Sequence, residues 1–391
     1  MPAGATGAEV LSGFSSSAHT GFRRREEAAR VSTSGRAAAD RAAARSQARR
    51  PARSSASARA IVLASLLGLA LALTLGACGG TQTTTATRAT GSAAAAAVAA
   101  KRSASVPVAL RVGSSTTLPA AVQLPAVAPG DGGALSVGGL DAGDSSVASV
   151  VLIDGSGARE VAQLPLALHD AAAAQIDGQT YLFGGGEPGG TSASIFRVGA
   201  SGVQGAGRLP VGASDIAATT IAHTAYVVGG YTVSDPLRTI VAFTPRTGAR
   251  IVGTLPRPLR YAAVAAVDGH VLIAGGTSGV TAQRAILSFD PATRTTRQIG
   301  ELPYPVTHAG GASLNGSFYL LGGRGESLSG QRSSILAVDP RNGSVRSAGR
   351  LPEALSDVGA TSLGDHILAV GGRNQAGTVS DRALTLRPAP R

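Results

Sequence analysis

The stretch Leu255–Gly300 reads LPRPLRYAAVAAVDGHVLIAGGTSGVTAQRAILSFDPATRTTRQIG, and its punctuation decides the fold. After Leu255-Pro256, the run from Tyr261 to Val267 is made mostly of Ala and Val, side chains small enough for a crowded strand. Asp268-Gly269 is a two-residue hairpin turn of the kind that needs positive φ. Val271-Leu272-Ile273-Ala274 is a buried strand stopped by Gly275-Gly276. A longer loop leads to Ile286-Leu287-Ser288-Phe289, a third strand, and Asp290-Pro291-Ala292-Thr293 turns the chain into a fourth, Thr296 to Gly300. Four short antiparallel strands, A to D, thus fit into one unit.

The unit recurs. Gly-Gly pairs close apolar runs at Gly138, Gly184, Gly229, Gly275, Gly322 and Gly371, with spacings of 46, 45, 46, 47 and 49 residues. A Leu-Pro pair begins at Leu118, Leu164, Leu209, Leu255, Leu302 and Leu351, in each case 20 residues before the Gly-Gly. Asp177-Gly178 and Asn315-Gly316 repeat the first turn, and Thr244–Gly248 and Asp339–Gly343 the second. A fixed period of this length marks a repeat architecture, and four strands per period mark a propeller blade. The expected fold is all-β: a six-bladed β-propeller with four-stranded antiparallel blades over residues 106–387, followed by a tail, 388–391.

The ends of the repeat predict how the ring closes. The last unit offers strands A to C, ending near Leu386, and the first has a surplus strand-like stretch, Val106 to Val112. That stretch is expected to supply the missing outer strand of the last blade, so that an N-terminal strand closes the ring and removes its free edges.

The apolar-apolar-Gly-Gly motif followed by an Asp-Pro turn resembles the kelch repeat, the type found in the central domain of galactose oxidase. The resemblance spans about 280 residues. It implies a rigid disc that presents loops to a partner. Kelch repeats usually carry a Trp in strand D, and this chain has none. Blade stacking is therefore expected to rest on Val, Ile, Leu and Ala. The copper site of galactose oxidases needs a Cys cross-linked to Tyr. The only Cys here, Cys78, lies before the repeats, so that chemistry is excluded.

Cys78 has its own reading. An uncharged apolar run from Ala60 to Leu75 follows an arginine-rich segment and ends in Leu75-Gly76-Ala77-Cys78. A basic region, an apolar core and small residues before the cleavage point make a secretory signal, and the run is short for a spanning helix. The ending resembles a bacterial lipobox, which implies that Cys78 is lipidated and that the protein is anchored to the cell membrane on its extracytoplasmic face. Residues 60–78 are then the signal and lipobox, and 79–105 a flexible Ala/Thr/Ser spacer. Residues 1–59 are a disordered basic extension or the product of a start codon set too far upstream.

The formal charge of +12 does not mark a nucleic-acid binder. Residues 1–60 hold 11 Arg against 4 acids, and from Cys78 onward 24 basic residues face 19 acidic ones with no basic block interleaved with aromatics. A single Cys excludes a disulfide framework and a Cys-based metal cluster. No two His have metal-ligand spacing, the Gly184–Gly186 run lacks a following helix, and there is no Gly-x-Ser-x-Gly. No cofactor or metal is expected.

The constant offset names candidate site residues. Six positions after each Leu of Leu-Pro, strand A is expected to begin, at Leu124, Asp170, Asp215, Tyr261, His308 and Asp357. Five of these are polar and would ring the mouth of the central channel, with His169 and Arg260 adjacent. The B-to-C loops, on the same face, add Glu187, Tyr231, Arg324, Glu326 and Arg373. They describe a polar pocket for a sugar-like, peptide or cationic ligand. The plainer account is structural, because Asp at a bend bonds nearby N–H groups and propeller channels hold water. Arg238, Arg284, Arg332 and Arg382 recur near the start of strand C and read as solvated surface. The functional expectation is a non-catalytic binding module for a protein or cell-envelope glycan. The alternative is a sugar mutarotase using general acid and base groups of the pocket, His308, Glu187, Glu326 or Asp357.

Overall fold

The computed structural model describes residues 107–279 and 281–390. The extension, the signal with Cys78, and the spacer lie outside the described residues. No helix occurs among the described residues, and six four-stranded antiparallel blades form the propeller.

Blade 4 shows the plan. Its strands are A (Ala263–Val267), B (His270–Ala274), C (Ala285–Asp290) and D (Thr295–Glu301), each paired with the next. Asp268 and Gly269 take φ of 49° and 78°, the left-handed pair a two-residue hairpin requires. Strands A of all six blades pack side by side around the axis, each touching its two neighbours. Their small side chains permit this approach.

The Gly-Gly pairs are the clasps between blades. Both glycines of every pair have positive φ. The second donates its N–H across the blade boundary: Gly139 to Leu168 O, Gly185 to Ala213 O, Gly230 to Leu259 O, Gly276 to Val306 O, Gly323 to Leu355 O and Gly372 to Val122 O, all at 2.8–2.9 Å. A Cβ on the first glycine would fall against that same carbonyl oxygen, well inside the 3.0 Å that real Cβ atoms respect. Glycine is required here by both backbone conformation and contact. Each Leu of Leu-Pro is buried beside its clasp, at 0–6 % exposure.

The ring closes with an N-terminal strand, as expected, but in a different register. The outer strand of blade 6 is Leu110–Thr117, paired with Arg382–Pro388, and not Val106–Val112. Leu110 is the buried anchor, and the polar run Ser114–Thr117 is accommodated because an outer strand keeps one edge in solvent. Strand C of that blade accordingly runs to Pro388, past Leu386. Ahead of the closing strand, the hydroxyl of fully buried Tyr319 donates to Val108 O (3.0 Å) and accepts the Val108 N–H (3.1 Å), pinning the incoming chain to blade 5.

One further expectation is corrected. Aliphatic residues do not stack the blades alone. Phe183, Phe243, Phe289 and Phe318 are fully buried, and Phe243 meets Tyr181 and Phe183 at ring-centroid distances of 5.3 and 5.4 Å. The recurring arginines sit at the surface as expected, Arg238, Arg284 and Arg382 exposed and Arg332 half-buried, and they also hold fixed partners. Arg238 Nε donates to Leu255 O (3.0 Å) and Arg284 Nε to Leu302 O (2.8 Å), which fixes the Leu-Pro carbonyls, while Arg332 lies 4.0 Å over the Tyr304 ring. Arg382 reaches Thr117 of the closing strand (2.8 Å).

Candidate functional site: the channel mouth

The six offset positions are not the first residues of strand A. In blade 4 the strand starts at Ala263, two residues after Tyr261. All six instead sit at a bend in the left-handed region: Leu124, Asp170, Asp215, Tyr261, His308 and Asp357 have φ between 53° and 62°. Asp and His are enriched in that conformation, whereas Leu124 and Tyr261 adopt it at a cost of about 1–3 kcal/mol. Backbone hydrogen bonds that run around the axis from blade to blade offset this cost. Asp215 N–H donates to Asp170 O, Tyr261 to Asp215 O, His308 to Tyr261 O, Asp357 to His308 O and Leu124 to Asp357 O, at 2.8–3.2 Å, five links that leave the circle open between Leu124 and Asp170.

Inside this ring lies a cavity of about 130 Å³, lined by all six residues and by the first residues of each strand A. Below it the channel continues into a second cavity of about 260 Å³, walled by uncharged side chains such as Gln175, Thr220, Ser313 and Ser362. Titratable groups are therefore concentrated at the mouth.

The mouth groups form a connected set. Asp215 is ion-paired with Arg260 of the next blade. The Arg260 guanidinium also lies over the rings of Tyr231 (4.2 Å) and Tyr261 (4.7 Å), and its Nη2 donates to the Tyr261 hydroxyl (3.2 Å). That hydroxyl in turn points at Asp170 Oδ2, 3.4 Å away. The Tyr261 ring stacks on the His308 imidazole with centroids 3.7 Å apart. Arg324 Nη2 approaches His308 Nε2 at 3.1 Å, and Thr307 Oγ1 lies 3.0 Å from Nδ1. Since Arg can only donate, Nε2 carries the lone pair and the proton is on Nδ1, donated to Thr307.

Electrostatics follow from burial. Asp170, Asp215, His308 and Asp357 are 5–9 % exposed. Desolvation, together with the neighbouring Asp215 and Asp357 carboxylates, holds the Asp170 carboxyl well above the usual carboxylate range. Burial also raises Asp215 and Asp357, against the opposing pull of Arg260 on the first and of Ser356 and Arg324 on the second. Desolvation and the nearby Arg324 and Arg260 push His308 well below its ordinary value, so it is neutral at pH 7.

Of the residues singled out from sequence, Asp170, Asp215, Tyr261, His308 and Asp357 line the cavity, and Arg260 and Arg324 support it from the flank. Arg373 does not join them. It bonds Asp144 on the blade 1 loop (3.0 Å), while its backbone pairs with Ser356. Glu187 sits half-buried in a two-residue hairpin outside the cavity lining, and Glu326 is exposed. Sequence reasoning missed Thr307 and Ser356, which immediately precede two ring positions and bond their side chains. Their placement one residue before each offset position is a signal that the same repeat alignment could have supplied. No group of three or more His, Cys, Asp or Glu among the described residues is arranged to hold a metal ion.

No protein family matches the chain, and no curated protein matches it in sequence. Among solved structures, that of YjhT superimposes with a TM-score of 0.57 at 16 % identity, covering 69 % of this chain and 94 % of the other. At that identity the likeness carries the fold alone, and the fold it carries is the β-propeller.

Proposed function

We propose that this chain is a non-catalytic binding module of the kelch type, lipid-anchored through Cys78 on the extracytoplasmic face of a cell membrane, which presents its loop face to a protein or cell-envelope glycan partner. One observation carries this reading. The polar groups of the mouth are held in fixed positions by five blade-to-blade backbone bonds and by one another, and they surround an open cavity. Arg260 is committed to Asp215 and the His308 imidazole to Arg324 and Thr307, an arrangement suited to recognition. At about 130 Å³ the cavity is below the ~300 Å³ of small-molecule pockets, so it suits one side chain or one corner of a sugar. The Leu-Pro…Gly-Gly repeat with its Asp-Pro turns supports the kelch assignment, and Leu75-Gly76-Ala77-Cys78 supports the anchor.

The test is ligand-dependent thermal shift of the full chain in detergent against sugars, cell-wall fragments and peptides. A hit lost in both Asp215→Ala and His308→Ala locates binding at the mouth, and a hit retained in both rejects that location. One observation favours the mutarotase reading: a neutral imidazole and a carboxyl whose proton affinity is raised by burial face the same cavity, the pairing that proton exchange on a sugar hemiacetal needs. Polarimetry on freshly dissolved anomers decides it, and an unaccelerated approach to equilibrium removes it.

A further inference from the structure

The supply of hydrogen-bond donors at the mouth does not match its acceptors. An ionised carboxylate accepts about four hydrogen bonds. Asp215 has Arg260. Asp357 Oδ2 accepts from Ser356 Oγ at 2.5 Å, and its Oδ1 faces His308 Nε2 at 3.8 Å. That nitrogen offers no proton, because its lone pair already receives the Arg324 N–H. Asp170 has on Oδ2 the long 3.4 Å contact from Tyr261 and, at 3.9 Å, the Nε2 of His169, an imidazole that burial pushes toward its neutral form, and it has no hydrogen-bond partner on Oδ1 among the described residues. The guanidiniums nearest the ring are engaged elsewhere: Arg260 with Asp215, Arg324 with His308 and Arg373 with Asp144.

Two buried carboxyls, 8 % and 9 % exposed, are thus left facing the cavity with acceptors to spare and no cation of their own. They belong to blades 2 and 6 and flank blade 1. There the ring residue is Leu124, the one apolar member, followed by Pro125, Ala126 and Val127 on the cavity wall. Acid, hydrocarbon, acid is the order around this side of the mouth. Burial pushes both carboxyls toward their protonated form, and a cation lodged between them would supply the paired charge that a buried carboxylate needs to ionise. An anion would meet two carboxylates and no uncommitted guanidinium. A neutral hydroxyl would supply a donor and leave the charge uncompensated.

We propose that the mouth binds an alkylammonium group, such as a lysine side chain of a partner, with the ammonium between Asp170 and Asp357 and the methylene stem against Leu124 and Val127. This rests on the mouth being the binding site, as proposed above, and names the class of ligand.

The probe is n-butylammonium, with n-butanol and n-butyrate as shape controls and hexoses as an independent arm, observed by saturation-transfer NMR on the full chain. The expected result is binding of n-butylammonium alone among the three four-carbon probes, weakened at least tenfold in Asp170→Asn and in Asp357→Asn. Circular dichroism verifies that each variant is folded. Equal binding of n-butanol, or unchanged binding in both folded variants, overturns the inference. Hexose binding lost in Asp215→Ala and His308→Ala, with no ammonium binding, overturns it and leaves the binding-site proposal standing. Absence of mouth-dependent binding for every probe overturns both.

Discussion

Replacing Gly371 by Ala isolates the energetic weight of the interblade clasp. This glycine ends strand B of blade 6 and faces blade 1, at the ring's closing boundary. Its φ is 65°, and an added Cβ would meet Val122 O. Left-handed backbone costs an alanine about 1–2 kcal/mol. Forcing an extra methyl into a packed boundary adds about 1–3 kcal/mol. Moving Val122 away also weakens its 2.9 Å bond from Gly372 N–H, worth about 0.5–1.5 kcal/mol. The expected loss is about 3–6 kcal/mol, a large share of the roughly 5–15 kcal/mol that holds a domain folded. Gly269→Ala is the control. Its φ of 78° imposes the same backbone cost, but nothing lies within 4 Å of the added Cβ, so about 1–2 kcal/mol is expected. The chain has no Trp, so equilibrium urea unfolding is followed by circular dichroism. With a slope of about 3 kcal/mol per molar urea, the two midpoints should differ by about 1 M. Equal midpoints would refute the clasp and reduce the glycine requirement to backbone conformation.

Three other outcomes are expected. Deleting residues 107–117 removes the closing strand and should replace a single cooperative melt with a broad one; an unchanged melt rejects closure as a source of cooperativity. Tyr319→Phe deletes both bonds to Val108 and should cost about 1–3 kcal/mol with the fold intact, read as a lower urea midpoint. The Asp170 carboxyl has a raised pKa in the folded state, so the native protein binds more protons than the unfolded chain above the ordinary value of 3.8, and stability falls as pH rises through that window. Asp170→Asn should therefore exceed the parent in stability at neutral pH and lose that advantage as pH approaches about 4; a pH-independent difference would show that the carboxyl is not desolvated.

The architecture was legible because it is written in backbone requirements. Gly-Gly at positive φ, Asp-Gly turns and Leu-Pro pairs leave a mark that does not depend on what each side chain touches. The closing strand was legible in existence and not in extent, because Ser114–Thr117 is polar and shows no apolar alternation. The mouth was legible as a set of positions, since a fixed offset reports equivalent places on equivalent blades. Its chemistry was not. Arg260 pairs with Asp215 from the preceding blade, and Tyr261 reaches Asp170 two blades back, 91 residues away in sequence. Those distances arise only once the ring is closed. The left-handed conformation escaped notice because Leu124 and Tyr261 rarely adopt it, and the blade-to-blade backbone bonds that hold them there have no side-chain signature.

That ring separates two jobs that most pockets combine. Its bonds join main chain to main chain, so the backbone path at the mouth does not rest on the contacts that the inward side chains make with one another. Exchange at Leu124, Asp170 or Asp357 would change the size, charge and donor pattern of the mouth while the blade-to-blade backbone bonds beneath it persist. The propeller thus offers six addressable sockets on a common collar, open to redesign one at a time, and a new specificity could be written there without rewriting the fold.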